Sequence, residues 1–524
     1  MRKIPKLIYN DDSCSLREVE PPHSKTQIAR AVDYLADAGV DRLCWCVGWT
    51  GLALAYRSKV IDNYTDLAVN DSGKLGKALR RNLIYSLEQQ GIDYLPILIA
   101  ETRKRGMEFF ASFRVNDCHA KGYPRSSLAS GFWREHPEYR LWAQPAALSY
   151  YNGCFDYSFP EIQDRLVAVI NEFVSRYEID GIELDFLREP YLFPPGSGWK
   201  SREIITDLLR RIRNLSPAIM ARLPLDEKLR AECGIDLESI FKNNLLDSVT
   251  AGTHALSYNE SLAVFADLCR SYGIPFFGDM ETVPVINHNV ERNLAGNQKA
   301  PRHNYNFSFS ATELKENTAG AAANLWGQGV DGIYLYNFAC RIFEPGGRYG
   351  IANSDDEKRI LLQAVSQCRS PEALAQQPRH YMFWDNLPIY AEALRPERFS
   401  QQVTFRLFGD ILPDEKIDMS FRVYRSQNPH CGEMPCNLPD SAAKKLLHCR
   451  INSLTIDHER INAESSPTGV LPSGFSIGEH EIWRICLNGN ELQSGENLLG
   501  FCMPDYPYAN TPYIYIHDLQ IHRS

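Results

Sequence analysis

The 524-residue chain has no run of about 18 apolar residues, so no segment reads as a membrane span. Its first nine residues are basic but lack the apolar core of a secretory leader. That points to a cytoplasmic location, or to a secreted or periplasmic one had a leader been removed. Positive charge is in short supply: 56 Lys and Arg face 65 Asp and Glu, a net charge of −9. A nucleic-acid binder would show a basic face instead, and an anionic membrane surface is no better a partner. Fourteen cysteines are present, but their spacing builds no zinc site. Cys44 and Cys46 stand one residue apart, and Cys431 and Cys436 have no second pair to complete a tetrahedron. Scattered thiols of this kind suit a reducing compartment. No glycine-rich phosphate loop follows an early strand, since Gly73-Lys-Leu-Gly is too short and follows none. No His-x-His follows the first strand, which disfavours a metal-dependent amidohydrolase. Neither a metal nor an organic cofactor is therefore expected.

What is present is alternation. Strand-like runs at 6–9, 43–48, 107–113, 180–186, 218–223, 246–250, 275–281 and 332–337 are separated by segments of helical spacing. The strongest of these, 160–177, opens on Pro160, a residue suited to a first helical turn. The segment 75–105 reads as a helix interrupted at Pro96. Eight such units predict a parallel sheet closed into a (β/α)8 TIM barrel over 1–375. The texture then changes. From 376 to 524, short β-rich runs separated by turn residues predict a β-sandwich, which either binds carbohydrate or braces the barrel.

The most informative stretch is Asp180-Gly-Ile-Glu-Leu-Asp-Phe-Leu-Arg. Strand side chains alternate, so Ile182, Leu184 and Phe186 share one face and Glu183 and Asp185 the other. Burying carboxylates is costly unless they are paired or used. Barrel active sites sit at the C-terminal strand ends, and there strand seven offers Asp279 and Glu281 on one face. Two acids from strands four and seven, facing each other across the mouth, are what glycoside hydrolysis requires. The catalytic candidates are Asp185 as general acid/base and Glu281 as nucleophile or base, with Glu183 and Asp279 as close substitutes. Candidates for holding sugar are Trp45, Trp49, Tyr334 and Tyr336 by stacking, and Asn116, His119, Arg188, His254 and Asn337 by hydrogen bonds. Arg114 and Arg222 either grip the substrate or serve as internal partners of the acids.

Three motifs carry a resemblance over roughly residues 6–349: Tyr177-Glu-Ile-Asp-Gly-Ile-Glu-Leu-Asp-Phe-Leu-Arg, Phe155-Asp-Tyr-Ser-Phe-Pro-Glu and Phe113-Arg-Val-Asn-Asp-Cys-His. Phe132-Trp-Arg-Glu-His-Pro-Glu adds to it. The chain resembles the "family 10-like" glycosyl hydrolases, which are distinct from true family 10 xylanases. The resemblance implies a hydrolase of polysaccharide or glycan chains. Members of that group often carry His where Glu183 stands. Chitinase-type barrels end the strand-four motif in Glu, where this chain has Leu187, so their substrate-assisted mechanism is not implied. The expected function is a glycoside hydrolase acting on a poly- or oligosaccharide. Its alternatives are a non-catalytic carbohydrate-binding barrel and a polysaccharide lyase.

Overall fold

The computed structural model describes residues 3–17, 19–49, 54–63, 82–118, 129–141, 151–216, 218–253, 256–282, 309–336, 338–343, 352, 354–383, 387–389, 401–426, 447–466, 469–470, 476–477, 480–502 and 513–524. The chain forms two compact units. One comprises Met1–Ala255, Leu262–Thr282 and Gly329–Ser370; the other comprises Leu256–Ser261, Val283–Gln328 and Pro371–Ser524. A single cut at 375 would leave the helix Ala311–Gly327 with the barrel sequence, whereas its contacts group it with the second unit. No helix among the described residues is long and apolar enough to cross a membrane.

In the first unit eight strands close a parallel barrel in sequence order. They are β1 (Leu7–Asp11), β2 (Arg42–Trp49), β3 (Glu108–Arg114), β4 (Gly181–Asp185), β5 (Ile219–Pro224), β6 (Ser248–Gly252), β7 (Phe276–Met280) and β8 (Gly332–Leu335). β8 pairs back onto β1. Alternation sorts the side chains. Ile8, Cys44, Phe110, Met220, Phe277 and Tyr334 form a buried cluster inside the cylinder. Arg42 closes the lower end, bonded to Glu108 at 2.8 Å with its guanidinium 3.9 Å above the Phe110 ring.

The outer faces pack against amphipathic helices such as Pro160–Arg176, whose Ile162, Leu166, Val169, Ile170 and Phe173 are buried. Trp45 belongs to this layer and corrects one expectation. It has the opposite parity to Cys44, is 1% exposed, and donates from Nε1 to the Tyr94 hydroxyl at 3.1 Å. It is core, not a platform for sugar. Pro96 also behaves differently from the sequence reading. It sits in the first turn of Leu95–Lys104, where its missing N–H costs no helical bond. The break comes earlier, at Gly91 with φ +72°.

Close strand contact at the base of the acidic strand depends on Gly181. A Cβ there would meet the Phe110 ring at 2.6 Å and the Ala218 carbonyl oxygen at 2.8 Å.

In the second unit β9 (Arg379–Phe383), β10 (Leu387–Ile389), β12 (Lys416–Ser426), β15 (Ile461–Ser466), β16 (His480–Asn488) and β18 (Tyr513–Arg523) make one antiparallel sheet. β11 (Gln401–Leu407), β13 (His448–Ile451), β14 (Leu454–Thr455) and β17 (Gly495–Cys502) make another. Rings cross between the two sheets, Phe421 to Phe501 at 5.5 Å and Phe383 to Phe405 at 5.8 Å, as in a sandwich. The helix Ala311–Gly327 starts with a Ser310–Glu313 capping box. Its buried Asn324 holds the carbonyls of Tyr258 and Arg406 and the N–H of Phe408.

Gly181→Ala should lower barrel stability by about 1–3 kcal/mol, because the added methyl meets a ring and a backbone carbonyl that cannot both retreat. Denaturant midpoints of the variant and the parent chain measure it.

Candidate active site

Register brings the strand-four acid beside a cation. Asp185 pairs with Arg114 on β3 and with Arg222 on β5. Arg222 points inward with no exposure and reaches acids from both sides. Its Nη1 donates to Asp185 Oδ1 and Oδ2 at 3.3 and 3.2 Å. Its Nε and Nη2 donate to Asp279 Oδ2 at 3.2 and 3.0 Å, and Nη2 also to Glu281 Oε1 at 3.1 Å. Its guanidinium carbon lies 3.7 Å from the Tyr336 ring centroid. Gly252, at the end of β6, makes room for Asp279. A Cβ there would come within 2.6 Å of the Asp279 Cβ.

One guanidinium bonded to Asp185 and Glu281 limits the distance between those carboxylates to under about 9 Å, the span of two hydrogen bonds and the cation between them. That falls inside the range used by paired glycosidase acids. Three buried acids around one cation are also in electrostatic surplus. Burial raises Asp279 to about 6, with the Arg222 charge opposing and Glu281 adding to the rise. Burial alone would depress Arg222, but Asp279 and Asp185 together hold it well above its ordinary value. Asp279 Oδ1 is buried with no hydrogen-bond partner. Asp185, in contrast, accepts on Oδ1 from the backbone N–H groups of Leu187 and Arg188, both at 2.9 Å, in addition to Arg222.

Glu183 lies one layer deeper. Its Oε1 accepts from Ser112 at 2.6 Å, Tyr334 at 2.9 Å and Asn10 at 3.3 Å. Burial and then the Asp185 charge lift it to about 7. Asn10 and Ser112 were not among the sequence candidates. Their signal was parity, since Asn10 shares a strand face with Ile8 and Ser112 with Phe110, both inside the barrel.

The remaining candidates divide. Arg114 pairs with Asp12 and, at 2.8 Å, with Asp117, and donates to the Tyr336 hydroxyl at 3.2 Å. Tyr334 and Tyr336 are therefore not open stacking platforms: both are buried, and one face of Tyr336 carries Arg222. Asn116 holds the loops that follow β3 and β4, donating to the carbonyls of Phe155 and Tyr191 and accepting from the Phe155 N–H. Its amide thus ties together two of the motifs that carry the family resemblance. Arg188 lies 3.5 Å from Glu189. His119, His254 and Asn337, and the side chain of Trp49, lie outside the described residues.

In the folded chain Glu183 holds its proton up to about pH 7, against an ordinary value of 4.5. The folded state thus binds more protons than the unfolded one between those values. The stability from this group is full below about pH 4.5 and is lost as pH rises through about 7. Glu183→Gln should remove that loss, with a gain on the order of 3 kcal/mol at most at pH 8 and little difference at pH 4. Urea unfolding at the two pH values distinguishes the cases.

Residues 65–197 match the family model described as "Glycosyl hydrolase-like 10". Glycosyl hydrolase DigH of Escherichia coli strain K12 is 24% identical over 259 residues, covering 44% of this chain and 52% of that protein. DigH of Shigella flexneri aligns to the same extent. The chain spans about half the length of the curated relatives it matches. Among solved structures, it is similar to alpha-L-fucosidase isoenzyme 2 from Paenibacillus thiaminolyticus, at 12% identity and a TM-score of 0.40, over 72% of this chain and 51% of that one. It is also similar to a glycoside hydrolase family 5 structure from Bacteroides vulgatus, at 10% identity and a TM-score of 0.37, over 97% of this chain and 92% of that one. The matched residues 65–197 include the acidic strand Gly181–Asp185.

Proposed function

We propose that the barrel is a glycoside hydrolase acting on a poly- or oligosaccharide through carboxylates on β4 and at the end of β7. The observation that carries this reading is the convergence of Asp185, Asp279 and Glu281 on Arg222 inside the barrel. Hydrolysis of an acetal needs one group that gives a proton to the leaving oxygen. It needs a second that meets the developing positive charge at the anomeric carbon. Asp185 is arranged as an acceptor, with donors on both oxygens. It suits the second role, as nucleophile or as the base that activates water. Asp279 keeps one oxygen without a partner and is raised to about 6. With Glu281 beside it on the same cation, strand seven suits the proton donor. In this reading the roles first assigned to Asp185 and Glu281 exchange.

Arg222 keeps the acids at fixed positions, so that little reorganisation is needed when charge develops. The similarity of residues 65–197 to the glycosyl hydrolase-like 10 model supports a sugar substrate.

A screen over chemically diverse glycans tests the proposal. Against any glycan the parent chain cleaves, Asp185→Asn and Glu281→Gln should each lower kcat by about 10²–10⁴-fold, with circular dichroism unchanged. Near-normal turnover in both variants would remove these acids from the chemistry. Binding without turnover of any glycan would favour the non-catalytic barrel.

A further inference from the structure

The run Phe132-Trp-Arg-Glu-His-Pro-Glu takes no part in the Arg222 cluster, yet it is firmly built. Ser130 caps the helix Gly131–Glu135 by accepting from the Trp133 N–H at 3.1 Å. Trp133 Nε1 donates to the Gly153 carbonyl at 2.8 Å. Phe132 is half-buried, its ring against His136, Tyr139 and Phe155. With Gly131, Glu135, residues 57–63 and Arg165, it lines a cleft of about 600 Å³. None of the mouth acids lines it.

Arg165 comes from the helix Pro160–Arg176, and its guanidinium carbon sits 3.9 Å from the Phe132 ring centroid. Its Nε is buried and has no hydrogen-bond partner. Burial pulls its pKa below the ordinary value, and the Asp62 charge opposes this only in part. Asp62 itself accepts from the Gly131 N–H at 2.5 Å. The wall formed by residues 57–59 is held by Glu172 of the same helix, which accepts from the Ser58 hydroxyl and from the Lys59 N–H. The side chains of Arg57 and Lys59 are exposed on that wall. A stacked guanidinium with an unmet donor and a second cation nearby is the arrangement that planar anions recognise. The volume falls in the range of small-ligand sites, on the order of 300–1,000 Å³.

We infer that this cleft binds a carboxylate carried on a ligand about the size of a disaccharide, with Arg165 on Phe132 as its anchor and Lys59 as the outer contact. The inference does not rest on catalysis at the barrel mouth. Two sources share this chemistry, an acidic sugar and a peptide C-terminus. Calorimetric titration of the full chain with digalacturonate, trialanine and neutral lactose tests it.

Digalacturonate, trialanine or both should bind more tightly than lactose. Arg165→Met should weaken that binding at least about tenfold and Lys59→Gln about threefold. Asp185→Asn should leave it unchanged, and added salt should weaken it. The acidic probe that binds identifies the source. Arg165 Nε bonds to no other group in the fold, and Lys59→Gln alters an exposed side chain, so loss of binding in both with circular dichroism unchanged is not a folding effect. Three results would overturn the inference. One is that neither acidic probe binds. Another is that lactose binds equally well. The third is that affinity is unchanged in Arg165→Met or is lost in Asp185→Asn.

Discussion

A single guanidinium organises the interior of this barrel. Arg222 has five N–H donors in a rigid plane, and acids from β4 and from the end of β7 occupy them. Without it, three buried carboxylates would lose the counter-charge they share. Removing one partner of a buried ion pair typically costs about 3–5 kcal/mol, because the other charge is left uncompensated. The cation also has a floor, the Tyr336 ring, which Arg114 anchors from the other side through the hydroxyl. A lysine would carry the charge but could not span three acids from one plane.

The arrangement is layered, and each layer sets the electrostatics of the next. Apolar residues and the Arg42–Glu108 pair close the lower end. Glu183 sits above them, held on one oxygen by Ser112, Tyr334 and Asn10. The Asp185 charge above it helps keep Glu183 protonated. A protonated Glu183 adds no further negative charge beneath the Arg222 cluster. Two glycines permit this stacking, Gly181 under Phe110 and Gly252 against Asp279. Neither needs an unusual backbone; both are places where a Cβ would strike a neighbour.

Much of this was legible in the sequence, for reasons that can be named. β-α alternation gave the eight strands, and strand parity put Glu183, Asp185 and Asp279 on the inner face. Parity also placed Arg114 and Arg222 inside, but it could not say which acid each would meet. That depends on register between strands, which periodicity within one strand does not report. Trp45, a candidate sugar platform by residue type, lies mid-strand with outward parity, and its bond to Tyr94 makes it core. Tyr334 and Tyr336 were candidates for stacking on sugar, yet their roles come from hydroxyls and a cation face and not from open rings. Asn10 and Ser112 are small polar residues among apolar ones, and only the depth of Glu183 makes them matter. The helix Ala311–Gly327 reads locally like any barrel helix, and only its contacts through Asn324 and Gly320 group it with the sandwich unit.

Arg222 and the acids around it act as one coupled unit. A double-mutant cycle of Arg222→Met with Asp185→Asn, followed through barrel unfolding in denaturant at pH 7, tests it most directly. The account predicts an interaction energy above about 1 kcal/mol, because each single change strands a partner that the double change does not. Additivity within roughly 0.5 kcal/mol would show that the two side chains are independent, and would contradict the account.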